Sequence, residues 1–80
     1  MLTFERGDDD QSLVVHGDEQ GLTLLRDTID RLLRRTRPGH FDHQHMKTPD
    51  WGGNELSNER QGGELIHHVE IYCWKGDKAP

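Results

Sequence analysis

Asp18-Glu19-Gln20-Gly21-Leu22-Thr23-Leu24-Leu25-Arg26-Asp27-Thr28-Ile29-Asp30-Arg31-Leu32-Leu33-Arg34-Arg35 decides how the rest of the chain is read. Leu22, Leu25, Ile29, Leu32 and Leu33 recur at helical spacing and share a stripe about 100° wide. Asp18 is the kind of side chain that caps a helix N-terminus, and Glu19 adds negative charge where the helix dipole favours it. Asp27 with Arg31 and Asp30 with Arg34 are acid-before-base pairs at a spacing that supports a helix surface. Arg34, Arg35 and Arg37 suit the C-terminal end, and Pro38-Gly39 stops the helix. The stripe is therefore expected to face a core. Leu24 lies roughly 160° from it and is expected outside, as single exposed leucines often are.

Toward the N-terminus, the period changes to that of strands. Leu2 to Glu5 alternates loosely, Gly7 with Asp8 to Asp10 reads as a turn, and Ser12 to His16 is a short β-prone run closed by Gly17. Together they predict a hairpin. Toward the C-terminus, His40 to Lys47 is a short extended segment. Thr48 to Gly63 is a polar loop rich in glycine, and a loop of that length in so small a domain is often functional. Leu65 to Trp74 contains Ile66, Val69, Ile71, Tyr72 and Trp74, all strong strand formers. The tail at 75–80 is expected to fray. The whole chain, 1–80, thus reads as a single α+β domain of order ββαββ. Four strands form one mostly antiparallel sheet, one helix covers one face, and the other face stays partly open.

Composition narrows the function. The 80 residues are 30% hydrophobic and 31% charged, with 15 acidic and 10 basic side chains for a formal charge of −5. Such a composition approaches that of disordered chains, but the apolar residues cluster at Leu13 to Val15, Leu22 to Leu33 and Leu65 to Trp74. A small core is therefore expected. A domain this short buries roughly 60% of its unfolded surface, so its stability is modest. The acidic balance disfavours nucleic acid as a partner and suits a basic protein surface. A charge of this size also serves simply to keep a small domain soluble. The single cysteine, Cys73, rules out an internal disulfide. No secretory leader pattern is present at the N-terminus, and no run approaches the roughly 18 apolar residues of a membrane span. A cytoplasmic location without membrane contact is expected.

The candidate chemistry rests on histidine. In His40-Phe41-Asp42-His43-Gln44-His45, His43 and His45 share one side of a strand because strand side chains alternate. His67 or His68 on the last strand could join them, and converging imidazoles can hold zinc. If a metal were bound, His43, His45 and His68 would be its ligands. The bland alternative is that these are hydrogen-bonded, half-buried strand residues. Because the third ligand has no fixed spacing, no metal and no cofactor is expected. Acid–base work by His43 or His45 with Asp42 or Glu70 is conceivable, as is a nucleophilic pair of Cys73 with His67 or His68. However, no phosphate loop, nucleophile elbow or paired-carboxylate motif is present, and a cysteine within an apolar strand is ordinarily a small core residue. Trp51 on the long loop is either a lid over the core or an exposed anchor of the kind enriched at interfaces.

Several of these pieces occur together. They are Gly17-Asp18 with Gly21-Leu22, then His43-x-His45-Met46, then Thr48-Pro49-x-Trp51-Gly52-Gly53-x-Glu55-Leu56-Ser57, then His68-Val69-x-Ile71-Tyr72-x-Trp74. Over about residues 12 to 74 the chain resembles the small immunity proteins of bacterial polymorphic toxin systems, in particular the family called immunity protein thirty-two. The resemblance implies a non-enzymatic α+β antidote that binds and blocks a cognate toxin domain encoded by a neighbouring gene. With no leader, the toxin would act in the cytoplasm, where nucleases are the commonest class. The surface expected to meet it is the long loop, with Trp51 as anchor, Glu55 and Glu59 as charges, and His43 and His45 beside them. The competing readings are a histidine-based metal-binding protein or small hydrolase, and a homodimeric interaction module pairing through an open sheet face.

Overall fold

The computed structural model describes residues 1–76. Its elements run β1 (Leu2–Arg6), β2 (Leu13–Gly17), α1 (Glu19–Arg35), β3 (Phe41–Lys47), a 3-10 turn at Pro49–Trp51, β4 (Glu64–Leu65) and β5 (His68–Trp74). The fold is α+β, with one helix and antiparallel strand pairs throughout. The expected hairpin is present, Leu2 opposite Gly17 and Arg6 opposite Leu13. Residues 77–80 of the tail expected to fray lie outside the described residues. Lys75 itself is held, since its N–H donates to His40 O and its carbonyl accepts from Gly39 N, each at 2.8 Å.

The strands form two sheets instead of one continuous sheet: β2-β1-β4, and β3-β5. The reason lies at Ile66-His67, inside what reads in the sequence as one strand. Ile66 N donates to Phe4 O at 2.8 Å, on the first sheet, whereas the next carbonyl, His67 O, accepts from Thr48 N at 3.0 Å, beside the second. The chain changes sheets within these two residues, which belong to neither strand, although its strand-forming composition continues across the break.

The core lies between the two sheets and α1. Leu2, Phe4, Met46 and Leu56 are buried together, with Leu24, Leu25, Ile66, Val69 and Ile71 packed around them. Asp18 caps the helix as its type suggests, accepting from Gly21 N at 2.7 Å. The inward face of α1 keeps Leu25 and Leu32 of the expected stripe but not its other members. Gly21, Thr28 and Leu32 are buried, while Leu22, Ile29 and Leu33 are exposed at 48%, 40% and 49%. Leu24, expected outside, packs against the core. Gly21 supplies the physical reason: a Cβ there would lie 1.7 Å from Met1 O. The helix makes its closest approach along small residues, which hydrophobic periodicity does not count. Thr28 fits the same ridge because its hydroxyl is satisfied within the helix, donating to Leu24 O at 2.8 Å. On the outer surface Asp30 pairs with Arg34 as expected, but Asp27 meets Arg26 at 3.1 Å instead of Arg31.

The long loop is bonded down at many points. Leu56 is buried, Leu56 N donates to Lys47 O at 3.2 Å, and Ser57 N donates to Leu2 O at 2.8 Å. Gly53 passes so close to Lys47 that a Cβ would lie 2.4 Å from its carbonyl oxygen. The loop ends on Glu5 of β1. That fully buried carboxylate accepts from the Thr3 hydroxyl at 2.6 Å and from the N–H groups of Gln61, Gly62 and Gly63, the last at 2.8 Å. The Thr3 bond, followed by those of Gln61, Gly63 and Gly62, outweighs the opposing effect of burial and holds the Glu5 carboxyl at about 2.

Candidate functional site

Strand alternation and register together build the outer face of the second sheet. On β3, Asp42, Gln44 and Met46 point toward α1 and the core, which leaves Phe41, His43, His45 and Lys47 on the opposite face. Their cross-strand partners on β5 are Trp74, Tyr72, Glu70 and His68. The inward face is tied to the helix by Arg35. Its guanidinium donates to Asp42 Oδ2 at 2.9 Å, to Gln44 Oε1 at 3.1 Å and to His43 O at 2.6 Å. The N–H of His43 and then Arg35 hold the Asp42 carboxyl below its ordinary range. Among the described residues, no helix or further strand covers the outer face.

That face carries a continuous chain of rings. Phe41 stacks on Trp74 with centroids 4.7 Å apart, and Trp74 lies 5.8 Å from Tyr72. Tyr72 stacks on His43 at 5.0 Å, and His43 meets His45 edge-on at 4.8 Å. His45 and His68 follow, joined by a 2.7 Å contact between Nδ1 and Nε2. Trp51 closes the row, 6.3 Å from His68 and parallel to His67 at 5.9 Å. The aromatic members are open to solvent: Trp51 is 58% exposed, Phe41 55%, Tyr72 43% and Trp74 37%. A contiguous exposed aromatic surface of this kind marks an interaction site more often than a bare surface, because burying those rings against a partner is strongly favourable.

The residues singled out from the sequence are placed unevenly. His43 and His45 lie in the ring row, and Trp51 stands at its end, exposed and propped on His67, not closed over the core. His67 is itself held by the Thr48 hydroxyl at 2.6 Å. Glu55 turns inward and accepts from Lys47 N at 3.0 Å, so its carboxylate helps to shape the loop. Glu59 is exposed further along the loop. His43, His45 and His68, expected as ligands only if a metal were bound, are not the group that converges. His43 stacks on Tyr72, and the group that does converge is His45, His68 and Glu70, whose ligand atoms lie within 4.8 Å of one another. Phe41, Tyr72 and Trp74 were not singled out as site residues. Their signal is Tyr72 and Trp74 two residues apart on β5 and Phe41 two residues before His43 on β3, which becomes a surface only when the register sets Phe41 opposite Trp74 and His43 opposite Tyr72.

The arrangement offers a rigid binding platform. A single-stranded nucleic acid could stack on such rings, but it needs cations along its backbone path, and the register positions of this face carry Lys47 and Glu70 as their charged members. Among the described residues, no helix is long and apolar enough to cross a membrane. Residues 12–70 match the family described as Immunity protein 32. No curated protein and no solved structure matches the chain.

Proposed function

Because the chain belongs to the Immunity protein 32 family, we propose that it binds and silences a cognate toxin domain encoded by a neighbouring gene, docking through the outer face of β3 and β5. The observation that carries this reading is the exposed ring row from Phe41 to Trp51, borne on a sheet whose other face is fixed to α1. Binding anchors are commonly aromatic side chains held in place before the partner arrives, since little conformational freedom is then lost on docking. Trp51, His43 and His45 belong to the proposed interface. Phe41, Tyr72 and Trp74 extend it, and Glu59 offers peripheral charge. The protein acts by occupying the toxin's surface and not by turning over a substrate. The toxin works in the cytoplasm, and a basic nuclease surface suits an inhibitor with a formal charge of −5.

The test is co-expression with the neighbouring toxin domain in a bacterial host. The wild type is expected to restore growth and to co-purify with the toxin. A Tyr72→Ala/Trp74→Ala double variant with an unchanged far-ultraviolet spectrum is expected to lose both. Rescue that survives this change would move the interface elsewhere, to the exposed Leu22, Ile29 and Leu33 stripe of α1. Absence of rescue and of any complex by the wild type would reject the antidote reading.

A further inference from the structure

We infer that His45 Nδ1, His68 Nε2 and a carboxylate oxygen of Glu70 form a binding site for one zinc-class divalent ion at the Trp51 end of the ring row. Antiparallel register creates the group. His45 lies directly opposite Glu70, and His68 lies opposite Lys47, two residues further along β3, so the three side chains rise from one face around one point. His45 Nδ1 and His68 Nε2 are 2.7 Å apart, and Glu70 Oε1 is 3.4 Å from the first and 3.8 Å from the second. The ring centroids are 4.9 Å apart with nearly parallel planes. With so short a nitrogen contact, the rings meet edge to edge and not face over face. The two nitrogens thus face one another in a hydrogen bond with Glu70 Oε1 beside both, and an ion bound there would replace the proton they share.

The donor set is that of zinc. Imidazole nitrogen and carboxylate oxygen bind zinc at about 2.0–2.2 Å, and tetrahedral angles put neighbouring donors about 3.3–3.5 Å apart. The two distances to Glu70 are already near this value. The two nitrogens must part by roughly 0.6 Å to admit the ion, a shift within reach of side-chain torsions. The adjacent imidazoles are otherwise employed. His67 is engaged by Thr48 at 2.6 Å, and His43 stacks on Tyr72 at 5.0 Å. His45 and Glu70 keep roughly two-fifths of their side-chain surface exposed, 42% and 43%, so an ion can enter from solvent. Three protein donors leave a further coordination position for water, as in zinc sites that are not closed by a fourth side chain.

The experiment uses untagged protein, stripped with a chelator, dialysed and titrated with zinc chloride by calorimetry. A parallel titration with cobalt(II) is followed by visible absorption. One equivalent of zinc is expected to bind, with the intense visible bands of low-coordinate cobalt. His68→Ala and Glu70→Gln are each expected to weaken binding by on the order of tenfold or more, because each removes a donor. His43→Ala is expected to bind as the wild type does. If His68→Ala fails to fold by circular dichroism, Glu70→Gln, which keeps side-chain size, decides. No saturable binding up to millimolar zinc, undiminished binding by Glu70→Gln, or equal loss in His43→Ala would overturn the site. The titration contains no toxin, so its failure would leave the proposed function untouched.

Discussion

Strand β1 of the first sheet and the β3-β5 pair of the second treat their side chains in opposite ways. In β2-β1-β4, the strand β1 is buried from Leu2 to Glu5, and the buried charge finds four donors: one hydroxyl and three consecutive loop N–H groups. In β3-β5, the inner face packs on the core through Met46, Val69 and Ile71, while the outer face displays rings to solvent. Strand β1 is satisfied within the fold, whereas its neighbour β2 exposes Leu13, Val14 and Val15, against the core position expected for that cluster, and β3-β5 leaves its rings open to solvent. Substitutions on β1 should therefore appear in stability, and substitutions on the outer face of β3 and β5 should appear in binding.

The sharpest break of that contrast is at Glu5. Glu5→Gln removes the charge on which the loop closes and is expected to lower the melting temperature more than any other single change considered. It also has a pH signature. The folded carboxyl is held below its unfolded value, so its contribution is fully present above about 4.5 and is lost as pH falls toward about 2. Asp42, lowered by His43 N–H and Arg35, acts in the same direction. Thermal melts from pH 7 to pH 2 should show the wild type weakening through this window. Glu5→Gln should be weaker at pH 7 and flatter below 4.5. A wild type equally stable at pH 5 and pH 2 would refute the loop-closing role.

Next in size is Met46→Ala, which empties a fully buried position between the sheets. It should cost about 2–5 kcal/mol by chemical denaturation, a large share of a small domain's stability. Phe41→Ala, on the opposite face of the same strand, removes an exposed stack on Trp74 and should cost about 0.5–1.5 kcal/mol. Equal losses at the two positions would mean that the outer face is covered after all.

Binding should reverse the ranking. Tyr72→Ala or Trp51→Ala is expected to weaken the complex with the toxin by about 2 kcal/mol, roughly thirtyfold in Kd, with the melting temperature nearly unchanged. Surface plasmon resonance on folded variants measures this. A Kd within threefold of wild type for both would detach the rings from recognition.

The smallest expected effect sharpens the helix. Ile29→Ala, on the exposed stripe, should change stability by within about 0.5 kcal/mol. Leu32→Ala, on the buried ridge, should cost as much as Met46→Ala. Matching losses at Ile29 and Leu32 would restore the leucine stripe as the inward face.

Much of the backbone was legible in advance. The helix, its Asp18 cap, its stop before Gly39 and the first hairpin all follow from side chains within a few residues of one another. The inward face of α1 was legible only at Leu25 and Leu32, because Gly21 and Thr28 are selected by closeness and internal hydrogen bonding, neither of which a hydrophobic period records. The sequence offers the loop as a partner-facing surface and gives no sign of what ties it down. In the structure the N–H groups of Gln61, Gly62 and Gly63 close on Glu5, and the contact with Gly63 spans 58 residues. Of the candidate site, His43, His45 and Trp51 were named from sequence, whereas Glu55 proved to be occupied with Lys47 N.

The sequence alone therefore determined local matters: which segments are helix or strand, where they begin and end, that one cysteine leaves no disulfide, and that the net charge is acidic. These depend on propensity, capping and composition, which act over short distances along the chain. Tertiary structure decided that one extended segment serves two sheets. It also decided that His45 meets His68 from 23 residues away and that Phe41, Trp74, Tyr72 and His43 form one surface. Those outcomes rest on strand register, and a shift of a single residue would turn every one of these rings to the other face.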